Sequence, residues 1–235
     1  MLWKITQHFL TTIVVIYSGI HWGVACIPSA YMIFYMIDFT KDFSIIGQSI
    51  FIGMSIGLGI PMWMISNIFI TALIGFIFKP KINKTRVPFF SIITIQWAFL
   101  SVIDRLAKPC VYHMVPSWIT DFYYRAMGCK IGKDAIISSD RINDAYMVEI
   151  GHGSIIGSRA LITAHIAEKN NLVLSPIFIG NNCLIGLGAQ INPGCVIEDN
   201  VVIASRAIVP KYTTVPSGET WAGIPAKSIK KKKVK

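Results

Sequence analysis

The sequence predicts a chain of two unlike parts: N-terminal transmembrane α-helices, then an all-β parallel β-helix made of six-residue rows. Three observations carry this. Every sixth residue from Ile179 is aliphatic and β-branched: Ile179, Ile185, Ile191, Ile197, Ile203, Val209 and Val215. Only four charges occur in residues 1–78: Lys4, Asp38, Lys41 and Asp42. Charged residues are 14% of the whole, where roughly a quarter is usual for a soluble domain, and that early stretch accounts for the deficit.

The first uncharged run is Phe9 to Ile37, with Pro28 inside it. It is too long for a signal-peptide core and long enough to cross a hydrocarbon layer of about 30 Å, so it is expected to be a retained anchor. Asp38 to Asp42 is a polar turn. Ser44 to Phe78 is a second apolar run, and Pro61 with Gly57 and Gly59 predicts a kink or break near its middle. Lys79 to Pro88 is a basic linker, which the positive-inside rule places in the cytoplasm. Two spans then put both termini and the repeat on the cytoplasmic side of the cell (plasma) membrane. Phe89 to Ile103 is apolar but short for a crossing. It is expected to lie in the interface as a helix, with Trp97 among the headgroups. A third span is the rival. Trp118, Phe122, Tyr123, Tyr124 and Arg125 suit the membrane surface just before the repeat.

A six-residue period fits neither an α-helix (3.6) nor one long strand (2). It fits short strands with a turn after each, three rows closing a triangular coil of about 18 residues. The aliphatic residue points inward. The residue after it is small, polar or proline (Gly180, Gly186, Asn192, Glu198, Ala204, Pro210, Pro216), and Gly and Asn there are expected at corners that need positive φ. The fifth residue of most rows is small (Cys183, Ala189, Cys195, Val201, Ala207, Thr213) and is expected to fill the narrow axis. Upstream the period continues out of phase, through Ile131 and Ile137, then Ile150, Ile156 and Ile162. Arg141 to Met147 is expected to replace one row with a polar loop, within which Asp144 reads as a cap. The seventeen-residue step from Ile162 to Ile179 is expected to push out a loop that contains His165. About twelve rows make roughly four coils. The predicted organisation is 1–88 transmembrane, 89–128 interfacial helix and connector, 129–229 β-helix and 230–235 basic tail.

The net charge is +10. Its excess falls at Lys79 to Arg86 and in the lysine tail. Beside apolar spans this reads as attraction to anionic lipid, and no nucleic-acid partner is expected. Five cysteines without CxxC spacing suit a reducing compartment. Cys183 and Cys195 fall at packing positions.

The six-residue rows, the loop with a histidine and the ending "AGIPAK" together resemble the hexapeptide-repeat acyltransferases over about residues 129–229. "SWITDFYYRAMGCKIGKDAIISS", "AHIAEKNNL", "SPIFIGNNCLIG" and "VPSGETWAGIPAK" are similar to the membrane-attached terminal region of poly-lysine-type nonribosomal peptide synthetases and their stand-alone relatives. The resemblance implies a left-handed coil, a homotrimer, and an acyl-CoA (acetyl-CoA first among them) in the groove between neighbouring subunits. His165 matches the family's catalytic histidine. An imidazole is suited to take a proton from a hydroxyl or amine attacking a thioester. Glu168 is expected to hold its tautomer. The turn Gly186-Leu187-Gly188 is expected to offer a backbone N–H to the oxyanion. The family's cofactor positions carry over to Ala189, Ala204, Ser205, Lys211, Ile224, Pro225 and Lys227. Lys211 after Pro210 also reads as an exposed turn lysine, and His152 in "GHG" as a corner residue. A γ-type carbonic anhydrase on the same fold would need three zinc-binding histidines across a subunit interface. Only His152 and His165 lie in the repeat, so no metal is expected. The expected function is a membrane-anchored acyltransferase, first an acetyltransferase, on a membrane-proximal acceptor such as a lipid-linked or surface glycan. A non-catalytic trimeric scaffold is the alternative.

Overall fold

The computed structural model describes residues 2–80, 82 and 84–229, the side chains of 2–7 excepted; Lys81 and the basic tail 230–235 lie outside the described residues. Two compact units are present, 1–71 and 72–235.

The first unit holds helix α1 (Leu2–Phe39) and helix α2 (Ile45–Phe78) up to Thr71. Residues 8–39 and 45–78 are each apolar and long enough to cross a membrane. At 1.5 Å per residue, α2 is about 50 Å long, well beyond the ~30 Å hydrocarbon layer. The helix is continuous through Pro61, so the expected break is absent. Apart from Ile68, the buried residues of these helices are small or polar, while Phe34, Tyr35, Ile45 and Ile46 face outward. Ser29 Oγ donates to Gly59 O at 2.8 Å, and His21 Nε2 meets Asn67 Oδ1 at 2.8 Å and Thr71 Oγ1 at 3.2 Å. Close approach at small residues and these shared hydrogen bonds hold the two helices together.

In the second unit the repeat forms a three-faced parallel β-helix. The first face comprises 130–131, 148–150, 177–179, 196–197 and 214–215. The second comprises 136–137, 155–156, 184–185, 202–203 and 220–222. The third comprises 142–143, 161–163, 190–191 and 208–209. Phe178 pairs with Val196 and Val196 with Thr214, so from Ile177 onward each strand meets its partner one coil of eighteen residues on; the upstream coils, which carry the insertions, are longer. The seven inward aliphatics are 0–2% exposed. Each such burial stabilises by about 1.5–3 kcal/mol. Lys227–Ser228 folds back antiparallel onto Thr220–Ala222 and closes the coil.

Two row expectations change. Positive φ falls not on the residue after the inward aliphatic but on the third residue after it: Asn182, Gly188, Gly194, Asn200, Arg206, Tyr212 and Gly218. Gly186 serves contact instead. A Cβ there would lie 2.5 Å from the Ser205 backbone nitrogen of the next coil. Nor is the row at Arg141–Met147 lost, because Ile142 is fully buried and pairs with Ile162. The extra residues form a short 3-10 turn, Ala145–Met147.

Outside the prism, helix α3 (Ile92–Met114) is longer than the apolar run suggested, since its last turns are amphipathic and pack. Leu100, Ile103, Ala107 and Val111 bury one face of it. Helix α4 (Trp118–Ala126) follows. Its Trp118 and Phe122 are exposed, but Tyr123 and Tyr124 are fully buried. They bond to Asp104 Oδ1 and to Ser139 O, so packing, not the membrane surface, takes both rings. The basic linker also gains structure. Thr85–Pro88 pairs antiparallel with Asn171–Leu174, which pairs antiparallel with His165–Glu168. The protruding loop is therefore a three-stranded arm.

Candidate active site

The arm leaves the prism at the edge between its third and first faces. His165 is its first residue, one residue (the buried Ala164) after the strand Leu161–Thr163. One coil earlier the same edge carries Asp144, directly after Ile142–Asn143. Asp144 has φ 56°, a conformation Asp tolerates better than most residues, and its side chain is only 3% exposed. The two side chains meet: His165 Nδ1 lies 2.5 Å from Asp144 Oδ2. A carboxylate only accepts, so Nδ1 carries the hydrogen and the Nε2 lone pair is left to accept a proton. The other carboxylate oxygen, Oδ1, accepts from Trp97 Nε1 of α3 at 2.8 Å. The Trp97 ring packs edge-on to the imidazole with centroids 4.8 Å apart. Trp97 is thus drawn into the site rather than placed among headgroups.

A cavity of about 260 Å³ opens beside this trio, between α3 and the first coil. Asp104 and Lys108 in its wall form an ion pair at 3.3 Å, and Lys108 Nζ also donates to Ile142 O at 2.8 Å. The Tyr146 hydroxyl is buried and has no hydrogen-bond partner among the described residues. Burial first, and the Asp144 carboxylate second, hold this phenol well above the ordinary tyrosine range.

The structure separates the sequence-predicted residues. Glu168, expected to hold the imidazole, binds Lys211 instead and lies 3.6 Å from Arg86. It sits at the far end of the first arm strand, and Asp144 occupies the position assigned to it. Lys211 shares the third–first edge with His165. Gly186, Gly188, Ala189, Ala204 and Ser205 stack along a different edge, between the second and third faces. Ile224 and Pro225 follow at the same edge, where Ile208 N donates to Gly223 O and Ala226 N to Ile208 O. Lys227 begins the closing strand. The Gly186 and Gly188 amides are engaged with Ile203 O and Ser158 O, which leaves Leu187 N–H as the donor free in that turn among the described residues. His152 stays in its corner, with Nδ1 2.7 Å from Lys133 O. Among the described residues no group of three His, Cys, Asp or Glu is arranged to hold a metal ion.

Asp144 and Trp97 were not legible as site residues. They lie 21 and 68 positions from His165, and an aspartate that ends a row reads as a cap. The one available signal was the thirteen-residue step between Ile137 and Ile150, which marked that edge as irregular.

Residues 176–211 match the family model for the bacterial transferase hexapeptide (six repeats). Delta-poly-L-ornithine synthetase of Acinetobacter baumannii is 29% identical over 63% of this chain and 11% of its own length. Gamma carbonic anhydrase 2, mitochondrial, of Arabidopsis thaliana is 28% identical over 44% of this chain and 40% of its own. Galactoside O-acetyltransferase of Escherichia coli is 38% identical over 38% of this chain and 46% of its own. The chain therefore spans less than half the length of each of these relatives.

Proposed function

Starting from a chain whose repeat is of the bacterial transferase hexapeptide type, we propose that it is a membrane-anchored, acyl-CoA-dependent acyltransferase, and specifically an acetyltransferase. Its acceptor is a hydroxyl or amine close to the membrane. The observation that carries this reading is the ordered Trp97–Asp144–His165 trio beside a cavity.

His165 Nε2 takes the acceptor's proton as the acceptor oxygen or nitrogen attacks the acyl carbon. It then returns that proton to the departing thiol sulfur. Asp144 fixes the tautomer and stabilises the imidazolium that forms between the two steps. Trp97 holds Asp144 in place and shields the pair from water. The acyl-CoA supplies the thioester. The small residues Gly188, Ala204 and Ser205 fit a pantetheine arm lying along their edge, and exposed Lys227 fits a phosphate. Lys211 contributes less, because Glu168 neutralises it.

Two edges of one prism carry the two halves of this site, with the third face between them. A second copy that docks its second–third edge against the first copy's third–first edge brings the halves together. This supports the homotrimer and, with it, the left-handed coil of the resembling family. Membrane proximity is supported by α3. Its exposed Ile92, Ile95 and Phe99 recur at helical spacing, and Phe99 packs edge-on against Phe78 at the end of α2, centroids 5.7 Å apart. That stripe fits the interfacial layer on the cytoplasmic side.

Calorimetry with acetyl-CoA on the detergent-solubilised full chain and on His165→Ala tests the reading. Both should bind alike, and only the wild type should transfer acetyl groups. Failure to bind any short acyl-CoA would sink the proposal in favour of a scaffold.

A further inference from the structure

The cavity beside His165 has a second end. Trp97, Ser101 and Arg105 recur every four residues on α3, so they form one stripe along the cavity wall. Trp97 lies at the imidazole. Arg105 lies eight residues on, about 12 Å along the helix axis. The other charged groups in the wall already have partners: Asp104 pairs with Lys108, and Asp144 accepts from His165 and Trp97. Arg105 is exposed and has no ion-pair partner among the described residues. The side chains of Ser101 and Asn143, half-buried in the same wall, likewise have no hydrogen-bond partner among them. Polar groups that converge on a cavity without satisfying one another are what a bound polar molecule satisfies.

We infer that this end of the cavity is an acceptor subsite for an oxyanion. The acceptor carries a phosphate or carboxylate at the end of the cavity away from the atom that is acylated, and the Arg105 guanidinium binds it. Ser101 and Asn143 hydrogen-bond the intervening polar groups. The planar fork of an arginine matches the paired oxygens of either anion, which a lysine would meet only as a point charge. The inference rests on the acyltransferase reading and deepens it, by making the acceptor an anionic and extended molecule. A phosphate of this kind reaches the site either in a lipid headgroup or on a soluble sugar phosphate.

Direct binding tests this without knowledge of the natural acceptor. The full chain in neutral detergent micelles is titrated calorimetrically with three probes: a polyprenyl-phosphate-linked hexose, a hexose 1-phosphate and a neutral alkyl hexoside. Each titration is repeated on Arg105→Gln, with acetyl-CoA affinity as the control for folding. One or both phosphate probes should bind the wild type and lose at least tenfold in Arg105→Gln. The neutral hexoside and acetyl-CoA should be unchanged. Tighter binding of the lipid-linked probe than of the soluble one identifies a headgroup source, and equal binding a soluble source. Absence of binding by both phosphate probes, or equal binding by the two proteins, overturns the subsite. Loss of acetyl-CoA binding by the wild type would instead overturn the acyltransferase reading.

Discussion

Two edges of the same prism differ in kind. The edge between the second and third faces is made by the repeat alone. Gly186-Leu187-Gly188-Ala189 and Ala204-Ser205-Arg206-Ala207 stack directly, each turn bonded to the next coil, as in Gly186 N to Ile203 O. The edge between the third and first faces is where the period breaks. Its first coil inserts the turn Ala145–Met147, and its second coil inserts the whole arm from His165 to Leu174. The regular edge offers a smooth surface of small residues along which a long ligand can lie. The irregular edge offers side chains that meet from distant parts of the chain. Repetition sets a uniform groove, and interruption brings together side chains capable of chemistry.

The largest expected effects lie on the irregular edge. His165→Ala should lower acetyl transfer by about 10²–10⁴-fold, the usual worth of a general base, with acetyl-CoA affinity unchanged. Asp144→Asn should fall in the same range, because a side-chain amide can present N–H to Nδ1 and favour the wrong tautomer. Its melting temperature should stay within a few degrees of the wild type. If Asp144→Asn were fully active, the carboxylate would be only a structural partner of Trp97.

On the regular part the large effects are on stability. Ile197→Ala removes a side chain that is 1% exposed in the middle of the prism. It should cost about 2–5 kcal/mol, read as a lowered melting temperature. Val202→Ala, on the outward side of a neighbouring row, should cost far less. Gly186→Ala comes next, at about 1–3 kcal/mol for a Cβ forced against the Ser205 backbone. Gly188→Ala has room for its methyl group, 3.6 Å from Arg206 Cγ, but must hold φ near +63°. It should cost about 1 kcal/mol. Were the two glycine variants reversed in order, the close approach would not be what selects Gly186.

How legible each part was follows from the same contrast. The inward rows were readable because each residue's environment is repeated at a fixed spacing, so Ile179 to Val215 announce one another. The positive-φ corners fall two residues beyond the position the sequence suggests. A glycine suggests positive φ, whereas at Gly186 it answers a contact with the next coil that only the stacked structure contains. Trp97 and Asp144 belong to no repeat, and their roles exist only once α3 lies against the first coil. The strand Thr85–Pro88 was hidden likewise: a basic linker becomes a strand only because the arm offers it an edge to pair with.

The smallest effect is the most discriminating for the irregular edge itself, because two carboxylates there could have served His165. Glu168 pairs with Lys211 and lies near Arg86 with its side chain 21% exposed. Such a half-exposed pair is worth at most about 1 kcal/mol. Glu168→Gln should therefore leave the melting temperature and the rate of acetyl transfer nearly unchanged. It should also free Lys211 to meet a CoA phosphate and so tighten acetyl-CoA binding by up to about fivefold, the same energy expressed as affinity. The opposite pattern, a rate lowered a hundredfold at unchanged affinity, would mean that the arm moves on binding and hands the imidazole from Asp144 to Glu168. The tightening distinguishes the two carboxylates by sign rather than by size, since on the proposed mechanism Asp144 acts on the proton and Glu168 on the donor's charge.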